Sequence, residues 1–324
     1  MQAVNALAGK GLKLSMYHGM INVYKEAGYT SHDVVARLRG ICKQKRIGHT
    51  GTLDPDAVGV LPVCLGNGTK LCDLLADRTK EYVALLQLGI TTDTQDASGT
   101  VLSRKNVEVS PEQVRKAIVS FQGDIEQIPP MYSALKVNGK KLYELAREGK
   151  EIERKPRPVT IYEIEVVKEA HPEYTIRVKC SKGTYIRTLC HDIGQNLGCG
   201  GVMAKLLRTR VGEFRIDQAY TLDQLQNFSE KGMLPSVVIP VEKMFENLPI
   251  IYVKEGSQKV LKNGNQLKPE DVKQVKTSMC KEFGEMKEGQ EVRVYDHSGT
   301  FYGIYRYAKE RRLFCPVKLF LPEM

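Results

Sequence analysis

The stretch Gly48-His49-Thr50-Gly51-Thr52-Leu53-Asp54-Pro55-Asp56-Ala57 carries the sharpest information in the chain. Two glycines and two threonines ahead of an Asp-Pro dipeptide make a poor helix. They suit a tight loop where backbone comes close to a ligand. Asp-Pro also starts ordinary turns, so turn chemistry alone favours a structural loop. The GxxxxGK(S/T) spacing of a phosphate-binding loop is missing here and in the later Gly66-Asn67-Gly68-Thr69-Lys70. Asp54 and Asp56 offer two carboxylates, but no further acidic cluster stands nearby in sequence to complete a metal's oxygen shell.

Working outward, Gly19-Met20-Ile21-Asn22-Val23-Tyr24 reads as a short strand. Thr30-Ser31-His32-Asp33 supplies hydroxyl and carboxylate caps for an amphipathic helix from Val34 to Cys42. Downstream, Glu81 to Ile90 is apolar enough for a buried strand, although it alternates poorly. Ser110-Pro111-Glu112-Gln113 starts another helix, with Val114, Ile118 and Phe121 expected on its inner face. The segment from about Glu126 to Pro158 is bounded by prolines; from Lys136 to Arg157 it holds eight basic and four acidic side chains. It reads as an exposed arm. Two strands follow (Thr160 to Val167, Tyr174 to Cys180), then a helix from about Tyr185 to Asn196. Beyond Pro249 the chain turns to short strands with Asn263-Gly264, Glu288-Gly289 and His297-Ser298-Gly299 turns, as in a small β domain. The expected division is an extension 1–18, a mixed α+β body 19–248 with its arm at 126–158, and a β-rich module 249–324.

Composition sets the class. At 324 residues, with 42% hydrophobic and 27% charged, the chain is long enough for about two domains with real cores. No run of 18 apolar residues exists to span a membrane, and the first residues do not form a secretory signal. A net charge of +10 favours a polyanionic partner, nucleic acid above all. Tryptophan is absent, so base stacking falls to tyrosine, phenylalanine, histidine or arginine. Eight cysteines without a CxxC pair read as reduced thiols of a cytoplasmic protein; Cys190, His191 and Cys199 match no familiar zinc spacing.

Residues Gly48 to Pro62, GHTGTLDPDAVGVLP, resemble the catalytic motif of the TruB-type tRNA pseudouridine synthases. Lys80-Glu81-Tyr82-Val83-Ala84, the segment Ile128 to Gly149 and Lys182 to Asp192 (KGTYIRTLCHD) resemble the same family in the same order, covering roughly residues 19–225. The resemblance implies an α+β pseudouridine synthase fold: a mixed central sheet flanked by helices, an inserted thumb at the basic arm, and a small C-terminal PUA-like barrel. It implies isomerisation of uridine in RNA: the N-glycosidic bond breaks, the uracil turns, and it rejoins through carbon. No cofactor or metal is implied.

By the same resemblance, Asp54 is the indispensable carboxylate, either a nucleophile toward sugar or base or a base removing a sugar proton. Arg187 is its expected ion-pair partner, since a buried carboxylate resists ionisation unless a cation stands beside it. Tyr82 is expected to stack on the flipped base, with Tyr185 and Leu206 lining the pocket and His49 filling space vacated in the RNA loop. The implied substrate is tRNA, at the T-arm uridine conventionally numbered 55, with the C-terminal module on the acceptor stem. The basic arm and Lys205, Arg208 and Arg210 are read as phosphate contacts. A monomer without an obligate protein partner is expected. A guide-RNA-dependent enzyme of the dyskerin type and an RNA-folding protein with secondary catalysis are the alternatives.

Overall fold

The computed structural model describes residues 16–137, 139–276 and 286–321, with 274–276 described by their backbone alone. Most of the expected extension, and Cys280, therefore lie outside the described residues. β1 (Gly19–Lys25) leads into α1 (Ser31–Cys42), and β2 (Ile47–His49) and β3 (Val58–Leu65) bracket the Asp-Pro loop. α2 (Cys72–Ala76) and β4 (Lys80–Leu88) follow, then a hairpin of β5 (Ile90–Thr92) and β6 (Val101–Arg104), and α3 (Pro111–Val119). β7 (Gly123–Gln127) opens the arm, which holds a small hairpin, β8 (Lys136–Val137) with β9 (Lys140–Lys141), and α4 (Leu142–Arg147). β10 (Arg157–Ala170), β11 (Glu173–Cys180), α5 (Ile186–Asn196), β12 (Gly201–Val211), β13 (Phe214–Arg215) and α6 (Leu222–Glu230) complete the body.

The central sheet runs β1-β3-β12-β4-β11-β10-β7, with β2 on β3 and β13 on β12. It is mixed: β12 pairs parallel to β3 and antiparallel to β4. β4 in fact alternates strictly between buried and half-buried residues. Its half-buried positions (Glu81, Val83, Leu85, Gln87) include two apolar residues, which blurs the pattern in sequence. The arm begins and ends in this sheet, because Glu126 pairs with Pro158 and Gln127 with Arg157. Only residues 128–156 thus stand outside it.

Helix starts follow local chemistry. The Thr30 hydroxyl accepts from the Asp33 N–H (3.1 Å) while the Asp33 carboxylate accepts from the Thr30 N–H (2.8 Å). Such a reciprocal cap is worth about 1 kcal/mol. α1 then buries Val34, Val35, Leu38 and Ile41 in a core shared with β1, β3 and α6. α3 is capped in the same way by Ser110 and Gln113, with Pro111 at its first position. Its Val114 and Ile118 join α5, β4 and β11 in the larger core, and Phe121 packs on that core just beyond the helix end.

A second sheet, β15-β14-β16-β17-β18, is built from β14 (Ile250–Val253), β15 (Val272–Lys276), β16 (Glu291–Tyr295), β17 (Phe301–Ala308) and β18 (Leu313–Leu319). This is the PUA-like β module. It packs on the body through a shared core joining Phe320 and Phe301 to Met20, Val60, Leu71 and Phe214. Backbone carbonyls of Leu319 and Leu321 accept from Lys70 and Asn67, each at 2.6 Å. No helix among the described residues is long and apolar enough to cross a membrane.

Candidate active site

The loop between β2 and β3 is tied down from several sides. The buried Ser31 hydroxyl accepts from the Leu53 N–H at 2.9 Å. The Gly28 N–H donates to the Pro55 carbonyl at 3.0 Å. The ammonium of Lys25, fully buried, donates to the carbonyls of Pro55 (2.9 Å) and Ala57 (2.6 Å). Burial lowers the Lys25 pKa to about 8, even though Asp54 and Asp56 oppose the shift. Arg208 reaches the loop from beneath, donating to the carbonyls of Val60 (2.7 Å) and Thr52 (3.4 Å). Between these anchors Asp54 projects from a fixed backbone.

Arg187 lies in the first turn of α5, whose entrance is fixed by Gln127: its side chain accepts from the Tyr185 N–H (3.0 Å) and donates to the Tyr185 carbonyl (3.2 Å). The guanidinium meets Asp54 Oδ2 through Nε at 3.1 Å. Its Nη1 contacts Asp96 Oδ2 (3.4 Å) and the Thr94 carbonyl (3.2 Å), and its Nη2 donates to the Tyr132 carbonyl (2.9 Å). The Arg187 side chain is 6% exposed and that of Asp54 is 40% exposed, so the pair is sealed behind the arginine and open in front of the carboxylate.

Burial pushes the Asp54 pKa up, Arg187 pulls it down, and Asp96 raises it as a like charge. On balance the Asp54 pKa is raised, and Arg187 is the neighbour that favours the ionised form of this half-open carboxylate. Such a group can attack an electrophilic carbon or remove a proton.

Tyr82 on β4 stands directly opposite Arg208 of β12, and Ala84 opposite Leu206, so all four side chains share one face of the sheet. Tyr82 is 8% exposed and belongs, with Leu53, to the core on which Leu206 packs. Its phenol pKa is raised by burial, and Arg208 pulls against that shift. Tyr185 caps α5 two residues before Arg187. His49 is half-buried at the end of β2; its Nδ1 accepts from the Gly51 N–H at 3.4 Å, and its ring meets His32 edge-on with centroids 5.2 Å apart. Burial and the neighbouring His32 both lower the His49 pKa.

The structure therefore joins Asp54 to Arg187 and gathers Tyr82 with Leu206 beside them, while His49 lies further out along the same loop. Sequence reasoning missed Lys25, Asp96 and Gln127. Asp96 sits in the turn of the β5–β6 hairpin, where Thr94 Oγ1 (2.7 Å) and the Ser98 N–H (3.0 Å) hold its carboxylate. The Thr-x-Asp-x-Ser spacing at 94–98 was its one local signal. One expectation is corrected. Arg208 is 2% exposed and cannot touch a phosphate, whereas Lys205 and Arg210 are exposed. Among the described residues no cluster of histidine, cysteine or acidic side chains could hold a metal ion.

Residues 39–186 match the N-terminal domain of the TruB family pseudouridylate synthases, and residues 187–246 match the tRNA pseudouridylate synthase B C-terminal domain. The chain is 51% identical over 312 residues to tRNA pseudouridine synthase B of Lachnoclostridium phytofermentans, covering 94% of this chain and 100% of that one. It is 48% identical over 250 residues to tRNA pseudouridine synthase B of Alkaliphilus oremlandii, covering 77% and 83%. Among solved structures, a chain of an H/ACA RNP bound to a substrate RNA containing 2′-deoxyuridine aligns with 94% of this chain and 86% of its own. The TM-score is 0.66 and the identity 27%. A mixed sheet carrying a half-open aspartate against a buried arginine, together with relatives matched over 83% and 100% of their length, makes this chain a member of the TruB pseudouridylate synthase family that isomerises uridine in tRNA to pseudouridine.

Proposed function

We propose that the chain acts on the T-arm uridine of tRNA conventionally numbered 55, without a guide RNA, and that Asp54 performs the chemistry. The observation that carries this reading is the Asp54–Arg187 contact, with the carboxylate half-open and the guanidinium buried. The target base must leave its stack to reach Asp54. Tyr82 offers a ring face to the flipped base beside Leu206, Tyr185 borders the same pocket, and His49 takes up the space left in the RNA loop. An ionised Asp54 then attacks sugar or base, or removes a sugar proton; the glycosidic bond breaks and the uracil reattaches through C5.

The arm closes over the RNA by phosphate contacts, and the module beyond residue 248 grips the acceptor stem, so that one unit catalyses and the other holds. The chain is read as a monomer working in the cytoplasm; that Asp54 and Arg187 come from one chain supports the first part of this reading. The likeness to an H/ACA RNP favours a guide-dependent reading as the second possibility. Release of tritium from C5-labelled uridine separates the two. The first reading expects turnover on an isolated T-arm stem-loop with no other macromolecule present. Turnover only with an added guide RNA would overturn it.

A further inference from the structure

Arg208 is a charged side chain that the scheme above leaves without a task. It is 2% exposed and, among the described residues, pairs with no carboxylate. Two of its N–H groups serve the carbonyls of Val60 and Thr52, which tie the strand and the loop on either side of Asp54. Its Nη2 is buried with no hydrogen-bond partner. A guanidinium cannot shed its charge to escape such a position, so an idle buried donor is costly unless something comes to meet it.

A Cβ added at Gly59 would stand 2.2 Å from the Arg208 carbonyl oxygen, so the two strands touch backbone to backbone at this point. Directly opposite Arg208, on β4 and on the same face of the sheet, stands Tyr82, which carries a phenol. The electrostatic coupling between them agrees with this placement.

We propose that Arg208 is a positioning residue for the isomerisation. It locks the Asp54 loop with two N–H groups and, with the third, makes the Tyr82 oxygen an acceptor. A guanidinium only donates, so a Tyr82 oxygen held by it must accept, and the phenol O–H is left to point toward the substrate base. Tyr82 would then present its ring and its proton in one orientation. This inference rests on the reading that Tyr82 contacts the base.

The test is a double-mutant cycle of Arg208→Lys and Tyr82→Phe, read by tritium release under saturating and limiting tRNA. Arg208→Lys keeps the charge but replaces three spaced nitrogens by one, which cannot occupy the separate positions from which the guanidinium addresses Val60, Thr52 and Tyr82. It is expected to lower kcat by about tenfold or more and to leave the tRNA Kd within about twofold, since a buried group makes no phosphate contact. In the Tyr82→Phe background the same change should cost clearly less, the remainder being the loss of the two loop contacts, because the oxygen it positions is gone. Equal losses in both backgrounds, or a loss confined to Kd, would overturn the assignment.

Should Arg208→Lys fail to fold, Tyr82→Phe alone decides through its melting temperature. Stranding Nη2 permanently should lower Tm by about 2 °C, and an unchanged or higher Tm rejects the contact. Full activity of Tyr82→Phe would overturn the assignment whatever its Tm, since the positioned hydroxyl would then have no part in turnover.

Discussion

The site around Arg187 and the arm at 128–156 are both built from basic and acidic side chains, yet they use charge in opposite ways. Around Arg187, one guanidinium at 6% side-chain exposure answers to two carboxylates and two carbonyls drawn from three separate segments. In the arm, Lys150 meets Glu148 at 2.7 Å and Arg154 meets Glu151 at 3.2 Å, with most of these groups in solvent. Water screens the second set, so those pairs fix little and remain free to exchange an acidic neighbour for a phosphate. In the first set the guanidinium is buried and all its nitrogens are engaged, which restricts it to one arrangement. Buried charge specifies geometry; exposed charge supplies reach.

Substitutions can break this contrast. The largest effect is expected from Asp54→Asn, which keeps the shape and removes the reacting charge. Pseudouridine formation should fall by about 10³-fold or more, while filter binding of tRNA stays near normal. Near-normal tritium release would sink the role of Asp54. Arg187→Met comes next, because it leaves Asp54 and Asp96 facing each other without the guanidinium that touches both. Turnover should collapse, and denaturant unfolding should report a loss of about 3–5 kcal/mol. A variant as stable and active as the parent would show that the pair is ornamental.

Asp96→Asn should be milder and more informative. Asp96 opposes ionisation of Asp54 as a like charge, so its neutralisation lowers the Asp54 pKa. Activity carried by the ionised form is lost as pH falls through that pKa. The acid limb of kcat/KM should therefore move to lower pH in Asp96→Asn, even as the plateau drops because Arg187 is less firmly held. A limb that moves upward would contradict the electrostatic account. The smallest effect is expected in the arm. Replacing Lys140 and Lys150 by Gln should weaken tRNA binding modestly and flatten its salt dependence by about one to two charges, with kcat unchanged. An unaltered salt slope would remove these lysines from the RNA contact.

How far the site could be read in advance depended on where its residues fall along the chain. Asp54, Tyr82 and Arg187 each lie in a segment with a recognisable pattern of its own, and the resemblance of those segments led to them. Asp96 and Lys25 lie in unremarkable strand ends and turns; they matter only because the sheet order carries them to the same place, which no local pattern encodes. Arg208 was misplaced for a related reason. Between Lys205 and Arg210 it looks like one of three surface cations, and only the β12–β4 register shows that it points inward. The caps at Thr30 and Ser110 were legible because capping acts over three residues. β4 was the weaker reading, since leucine and valine on its half-buried face hid the alternation.

The partners of Arg187 also order events in time. Arg187 lies 93 residues after Thr94, 91 after Asp96 and 55 after Tyr132, and the strand bearing Arg208 comes later still. During synthesis from the N-terminus, Asp54 and Asp96 emerge well before the cation that reconciles them. Contacts of such long sequence separation close late, because the intervening chain must first give up its freedom. Asp54 thus acquires its setting only when the sheet is nearly whole.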